Sequence, residues 1–108
     1  MSVIIAAKRT AVVPHGGAFA RLQIEDLAAP VVQALLAQAG LAKADVTELI
    51  CSNALGAGGN PARRVALAAG LPDHVAGLSL DRQCGGGLDA ILLARALIDS
   101  GAADVVIA

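Results

Sequence analysis

A cysteine followed by three glycines is the part of this sequence best suited to chemistry. Cys84 lies between a short apolar segment, 75–80, which predicts a strand, and a longer one, 88–98, which predicts a buried helix. It therefore falls on a strand-to-helix turn. The first amides of a helix have no internal partner and carry partial positive charge, so thiols placed there ionise readily to the nucleophilic thiolate. Cys84 is thus a candidate nucleophile for covalent catalysis.

The glycines after Cys84 suit the same interpretation. Gly85, Gly86 and Gly87 carry no side chains, so an extended substrate could lie against the backbone there, and Gly85 and Gly86 are the candidate substrate-binding residues. The turn resembles a nucleophile elbow with sulfur in place of oxygen. The alternative is structural, because many cysteines are small, buried and inert.

Length and composition bound the fold. The 108 residues fit one small domain, and 56% of them are hydrophobic, with one Phe and no Trp or Tyr. A domain of this size leaves much of its surface exposed. Because the chain is so apolar, we expect another subunit or further chain to cover part of that surface. The final residues, 104–108, predict a strand without a following turn. We therefore expect residues 1–108 to be the incomplete N-terminal part of a larger domain.

Charge and cysteine usage exclude several classes of protein. The net charge of −1 does not indicate the basic surface that is typical of proteins that bind nucleic acid. No apolar run reaches the length of a membrane span, and the first residues lack the pattern of a signal peptide. The two cysteines have no CxxC or Cys/His spacing, which argues against disulfides and against a metal site. A cytoplasmic location is the default expectation.

The periodicity predicts alternating strands and helices. Such an order favours an α/β fold, a mostly parallel sheet with helices on both faces. Ligands of these sheets bind beyond the carboxyl ends of the strands, which is where Cys84 lies. The predicted strands are 3–7, 46–52, 75–80 and 104–108, the predicted helices are 24–39, 61–69 and 88–98, and a loop is predicted over 11–22.

Local signals fix several helix ends. Gly40 is expected to end the first helix. Pro30 is tolerable if Asp26 is the N-cap, because the ring then falls near the end of the first turn; a slight kink is the other possibility. Asn60 and Pro61 predict an N-cap and a first helical position for the second helix. One face of that helix is small, which allows close approach to a neighbour: Ala62, Ala66 and Ala69.

Other candidate sites are weaker. The glycines around Gly58 fail as a dinucleotide fingerprint, because Pro61 stands where a further glycine is required. Cys51 is expected to be a core residue, since nothing near it in sequence would favour its thiolate. His15 and His74 are expected in loops without a second metal ligand. Arg63 and Arg64 are expected in surface or interface salt bridges.

Several motifs, in order and at consistent spacing over nearly the whole chain, resemble the start of a thiolase. The opening 3–10 (VIIAAKRT) resembles the first strand of that family, and 58–63 (GGNPAR) with 68–72 (AAGLP) resembles its second helix. The segment 83–90 (QCGGGLDA) resembles its nucleophile motif, and 103–108 (ADVVIA) its next strand. Ketoacyl synthases share the fold and the cysteine but lack the Asn-Pro-Ala-Arg segment.

The resemblance implies an acyltransferase that acts on acyl-coenzyme A, with an expected place in fatty acid metabolism. Cys84 would accept the acyl group as a thioester, its backbone amide would contribute to an oxyanion hole, and a second thioester would give or accept a two-carbon unit by Claisen chemistry. Coenzyme A would be a substrate, with no covalently bound cofactor. In the family, two histidines and a second cysteine come from the later half, so these residues alone are expected to be inactive.

The resemblance also implies a homodimer or tetramer. In thiolases the strand that matches 76–80 pairs with its mate across a twofold axis, and the helix from Pro61 lies close by. The expected interface residues are Asn60, Arg63, Leu78 and Leu80.

Two departures bear on activity. Thiolases often have Ser or Ala near Gly86, and Lys or Gln where Asp89 stands. A carboxylate there would oppose thiolate formation if it pointed at Cys84, and Arg82 would offset it. Two alternatives to a thiolase therefore stay open: a decarboxylating condensing enzyme like the ketoacyl synthases, and a non-catalytic scaffold with the same fold.

Overall fold

The computed structural model describes all residues from 1 to 108. Its helices and strands alternate along the chain from residue 24 onward, with a single 3₁₀ turn at Lys43–Asp45. The helices are α1 (Ile24–Ala39), α2 (Pro61–Ala68) and α3 (Gly86–Asp99), and the strands are β1 (Glu48–Ser52), β2 (Ala76–Leu80) and β3 (Val106–Ile107).

The three strands form one parallel sheet in the order β2-β1-β3. β1 is central, and its side chains alternate between the two faces, as the pleat requires. Leu49 belongs to the core beneath α1 and α2, whereas Ile50 packs with Ala90 and Ala94 of α3 on the other face. The predicted α/β class, with a parallel sheet and helices on both faces, is confirmed.

The larger core lies between β1, α1 and α2, and small side chains shape it. Ala62, Ala66 and Ala69 are fully buried, which confirms the prediction of a closely packed face. Asn60 caps α2 as predicted, because its Oδ1 accepts a hydrogen bond from the Arg63 amide at 3.2 Å. The helix therefore starts at a fixed point above the sheet.

α2 approaches β2 so closely that glycine is required at the contact. A Cβ added to Gly77 would lie 2.6 Å from the Arg63 nitrogen and 2.7 Å from its Cα, which are backbone atoms of α2. Polar bonds close the same contact: Asn60 Nδ2 donates to the Gly77 carbonyl at 2.8 Å, and the Ala62 amide donates to Ser79 Oγ at 3.0 Å. The backbone of the helix is thus in direct contact with the edge strand.

The predicted first strand, 3–7, is wrong. This segment has no strand partner, and Val3, Ile4 and Ile5 are 60–79% exposed. It flanks an open apolar cleft of about 850 Å³ whose lining also includes residues of β3, α1 and α3. An isolated extended segment cannot satisfy its backbone groups by ladder bonds, so apolar, β-branched residues alone do not make a strand.

The segment is held instead by its first residues. The Ser2 amide donates to Asp99 Oδ1 at 2.7 Å, and Arg95 binds the same carboxylate. Desolvation acts to raise the pKa of Asp99, but the bonds from Ser2 and Arg95 and the N-terminal ammonium outweigh it and hold that pKa below its usual value. The carboxylate therefore stays charged and ties the N-terminus to the end of α3.

Three further predictions need correction. The N-cap of α1 is Gln23, not Asp26, whose Oδ2 instead accepts from the Gln23 amide at 2.8 Å; Pro30 consequently lies inside the helix, exposed. α3 is not covered all round, because Leu88, Ile91 and Leu92 are about half exposed. β3 is shorter than 104–108.

Gly40 ends α1 as predicted, with φ of 68°. None of the helices combines the length and the apolar character that crossing a membrane would take.

Candidate active site

The turn between β2 and α3 is built on a side-chain bond and an unusual backbone angle. Asp81 Oδ1 accepts a hydrogen bond from the Gln83 amide at 2.8 Å, which closes a turn directly after the strand. Gln83 has a φ of 46°, and it is the one non-glycine residue of the chain with a positive φ. Such strained residues are typical of elbows that present a nucleophile, and this one immediately precedes Cys84.

α3 begins directly after the cysteine. Gly85 is the N-cap and Gly86 the first helical residue, two positions earlier than the sequence predicts. The Gly85 and Gly86 amides are used within the turn, donating to the Arg82 and Gln83 carbonyls at 3.0 and 3.2 Å. The amides of Cys84, Gly87 and Leu88 donate to no backbone carbonyl, so they stay free for an anionic group.

Cys84 itself is exposed, as a nucleophile must be. The neighbouring charges are paired with each other: Arg82 Nε lies 2.8 Å from Asp89 Oδ2. The Asp89 carboxylate is thus engaged by a guanidinium, in line with the offset expected from the sequence. The pair bridges the turn and the first turn of α3, and so it braces the segment that carries the thiol.

The glycines at this turn have different surroundings. Gly86 is buried and faces Ser52 at the end of β1, where an added Cβ would lie 2.9 Å from the Ser52 Cβ. Gly87 is exposed, with nothing within 4 Å of an added Cβ. Gly85 is exposed, and it is not in the positive-φ region. Of these three glycines, only Gly86 is required to be glycine for steric reasons, because of a contact that the sequence did not reveal.

The other candidate residues lie away from the turn. Cys51 points into the core beneath α1 and α2, as predicted, and burial raises the pKa of its thiol. His15 is in the exposed loop before α1, and His74 Nε2 lies 3.2 Å from the Ala44 carbonyl at the opposite end of the sheet. The structure brings no three His, Cys, Asp or Glu side chains together in a way that could hold a metal ion.

The two thiols should differ in reactivity. In the 108-residue chain we expect iodoacetamide to label Cys84 at pH 7.5 at least about tenfold faster than Cys51, because Cys84 is exposed while Cys51 is half-buried with a raised pKa. Labelling of Cys51 should accelerate as the pH rises toward that raised pKa. Peptide mass spectrometry measures both rates, with Cys51→Ala and Cys84→Ala as single-thiol controls. Faster labelling of Cys51 in the folded chain would contradict this ordering.

The four residues predicted at an oligomer interface lie in β2, the edge strand of the sheet, or beside it at the start of α2. Arg63 Nη1 donates to the Val75 carbonyl at 2.8 Å, and Asn60 bonds to Gly77, so both polar side chains are used within the chain. Leu78 and Leu80 are partly buried against the α3 face of the sheet. The arrangement brings all four to one edge of the molecule.

The comparison with known proteins decides the family. Residues 2–108 match the model described as "Thiolase, N-terminal domain". The chain belongs to the thiolase family. The acetyl-CoA acetyltransferases of Cupriavidus necator and Thiocystis violacea are both 42% identical to it over 108 residues, which is 98% of this chain but only 28% and 27% of theirs. This thiolase chain therefore spans little more than a quarter of the curated relatives it matches.

The fold of this thiolase chain agrees with a solved structure of the family. The structure of acetyl-CoA acetyltransferase from Syntrophomonas wolfei superimposes with a TM-score of 0.90 at 25% sequence identity, covering 96% of this chain and 27% of that protein. The parallel sheet and the strand-to-helix turn that carries Cys84 thus belong to a fold shared with an acyltransferase. The family and the fold expected from the sequence motifs are confirmed.

Proposed function

We propose that this chain supplies the nucleophile of an acyltransferase that acts on acyl-coenzyme A thioesters. In the direction of synthesis, Cys84 Sγ attacks the thioester carbonyl, the bond from that carbon to the sulfur of coenzyme A breaks, and the acyl group is held as a thioester on the cysteine. In the direction of cleavage, Sγ attacks the 3-keto carbon of a 3-ketoacyl-coenzyme A, the bond from that carbon to the α-carbon breaks, and the same kind of thioester forms. In both directions the thiol proton is passed on to the departing group. The exposed Cys84 thiol on the turn ahead of α3, in a chain of the thiolase family, is the observation that carries the proposal.

The free amides at the turn support the first step. Attack on the carbonyl places negative charge on its oxygen, and the Cys84 amide is a donor without a backbone acceptor beside the forming bond. A preorganised donor of this kind typically contributes about 2.7–4 kcal/mol to the transition state. Exposed Gly85 leaves room for the substrate to lie against the backbone. Coenzyme A enters and leaves as substrate and product, and no bound cofactor is part of this step.

The remaining groups must come from outside these residues. The second step needs a base for the α-carbon of the second thioester, or for the thiol of coenzyme A in the direction of cleavage. His15 and His74 do not lie at the Cys84 turn. We propose that residues 1–108 are the N-terminal part of the site-bearing domain and that they are inactive alone. The same relationship to known thiolases favours a soluble enzyme of the cytoplasm with a role in fatty acid metabolism.

A hybrid protein tests the proposal. Residues 1–108 are joined to the part of the Cupriavidus necator enzyme that follows its matching segment, and cleavage of acetoacetyl-coenzyme A by coenzyme A is assayed. We expect turnover by the hybrid, none by the 108-residue chain, and an acetyl group on the Cys84 peptide after acid quench of the hybrid. The unaltered Cupriavidus necator enzyme is the control. A folded hybrid that is never acetylated at Cys84 would contradict the proposal.

The edge strand β2 supports a homodimer or a tetramer. β2 pairs with β1 on one side only, and Asn60, Arg63, Leu78 and Leu80 lie beside its other side or on its faces. An uncovered edge strand is a template for pairing with a second copy. The hybrid made for the activity assay should therefore sediment as a dimer or larger, and a monomer would remove this part of the proposal.

A further inference from the structure

We infer that Ser52 is a positioning residue for the nucleophile, acting through a steric contact with Gly86. Ser52 is the last residue of β1, and Gly86 is the first residue of α3. The Cα of Gly86 faces the Ser52 side chain so closely that a Cβ at position 86 would overlap Ser52 Oγ and lie 2.9 Å from Ser52 Cβ. The glycine and the serine therefore fit each other at the point where α3 starts.

The overlap cannot be relieved by rotating the hydroxyl. Rotation about χ1 moves Oγ, but the Cβ of Ser52 is fixed by the backbone of β1. That backbone is held by the pairing of Ser52 with Leu80 in parallel register and by the Asn53 amide, which donates to the Leu80 carbonyl at 2.8 Å. A side chain at position 86 would thus displace the start of α3 from the sheet.

Ser52 alone limits the space available to a side chain at position 86. After Ser52, the next atom near an added Cβ at position 86 is Leu80 Cδ1 at 3.6 Å, an ordinary van der Waals distance. Gly86 does not have a positive φ, so its backbone accepts alanine without strain. Removal of the Ser52 side chain should therefore make room for a side chain at position 86. The two positions are coupled, and each sets what the other can hold.

The consequence for catalysis rests on the proposed role of Cys84. The Gly86 amide donates to the Gln83 carbonyl at 3.2 Å, so Gly86 anchors the turn that carries Gln83 and Cys84. A shift of α3 at position 86 moves this turn and the free Cys84 amide together. Because transition-state stabilisation depends on sub-ångström geometry, such a shift lowers kcat while substrate affinity is retained.

A four-protein cycle tests the coupling in the 108-residue chain: the parent, Gly86→Ala, Ser52→Gly and the double variant. We expect Gly86→Ala to lower the Tm by roughly 5–15 °C in the parent, because the core is overpacked. In the Ser52→Gly background the same change should leave the Tm unchanged or raise it by a few degrees, since alanine is the better helix residue. Gly87→Ala, one residue further in open space, is the matched control and should not lower the Tm in either background.

The positioning role is tested in the hybrid enzyme. Gly86→Ala is expected to reduce kcat by about tenfold with KM changed less than twofold, and Ser52→Gly should restore kcat in the double variant to within about threefold. Equal Tm losses from Gly86→Ala in both backgrounds would overturn the inference, as would a kcat loss that Ser52→Gly does not rescue. If the parent hybrid has no activity, the proposed function fails. The Tm values of the four proteins then still show whether positions 52 and 86 are coupled.

Discussion

Replacing Cys84 with alanine is expected to reduce kcat of the hybrid enzyme by at least about 10⁴-fold, because the covalent route loses its nucleophile. The fold should be retained, since Cys84 is exposed and adds nothing to either hydrophobic core. Cys84→Ser should lose nearly as much activity, because a hydroxyl is far less nucleophilic than a thiol at neutral pH. Initial rates of acetoacetyl-coenzyme A cleavage, with Tm as the measure of folding, check both variants.

Cys51→Ala is the matched control for that experiment. It removes the second thiol of the chain from the core face beneath α1, where burial keeps the thiol protonated. We expect kcat within about twofold of the parent and a Tm lower by a few degrees, because only one small group leaves a half-buried site. Retained activity in Cys84→Ala, with the acetyl group found elsewhere, would assign the nucleophile to another residue.

A large effect on stability is also expected at Gly77. Alanine there would place its Cβ 2.6–3.0 Å from three backbone atoms of α2, and a backbone contact cannot be relieved by a rotamer change. Overpacking of this kind costs about 1–3 kcal/mol, which exceeds the gain of about 0.4–1 kcal/mol from replacing a flexible glycine. We expect a Tm lower by roughly 5–15 °C in the 108-residue chain.

Gly58→Ala is the control for the Gly77 change, because an added Cβ there meets nothing within 4 Å and its φ is not positive. Its Tm should stay within about 2 °C of the parent, since surface substitutions without a packing change have small effects. Circular dichroism melts of the two variants make the comparison. A Gly77→Ala variant as stable as the parent would show that α2 moves freely over β2, in contradiction to the close contact.

The sequence predicts those features that depend on local periodicity and capping. α1, α2 and the central strand follow their apolar patterns, and the Asn60 cap and the Gly40 terminus were found from residue type alone. The position of Cys84 before a helix also follows from the order of the segments. These features need no knowledge of which elements touch, and so they are accessible without a structure.

The predictions that proved wrong concern features that are set by contacts between residues far apart in the sequence. Residues 3–7 have the composition of a strand but no partner beside them, and strand formation is set by pairing. Likewise, the apolar residues of α3 predict full burial, yet Leu88, Ile91 and Leu92 find no cover within this chain. The positive φ of Gln83 and the fit of Gly86 to Ser52 leave no trace in the local pattern, because they depend on how the elements meet.

The fit between Gly86 and Ser52 also constrains the order in which the two positions can evolve. A lineage that starts from this sequence cannot gain a side chain at position 86 first, because that intermediate is overpacked at the start of α3. The reverse order is open, since glycine at the end of β1 costs only about 0.5–1 kcal/mol and leaves space for a Cβ at position 86. Ser52→Gly is thus a permissive substitution that opens position 86 to alanine. The contact between Gly86 and Ser52 therefore restricts which residues can be accepted, and in which order, at the turn that carries Cys84.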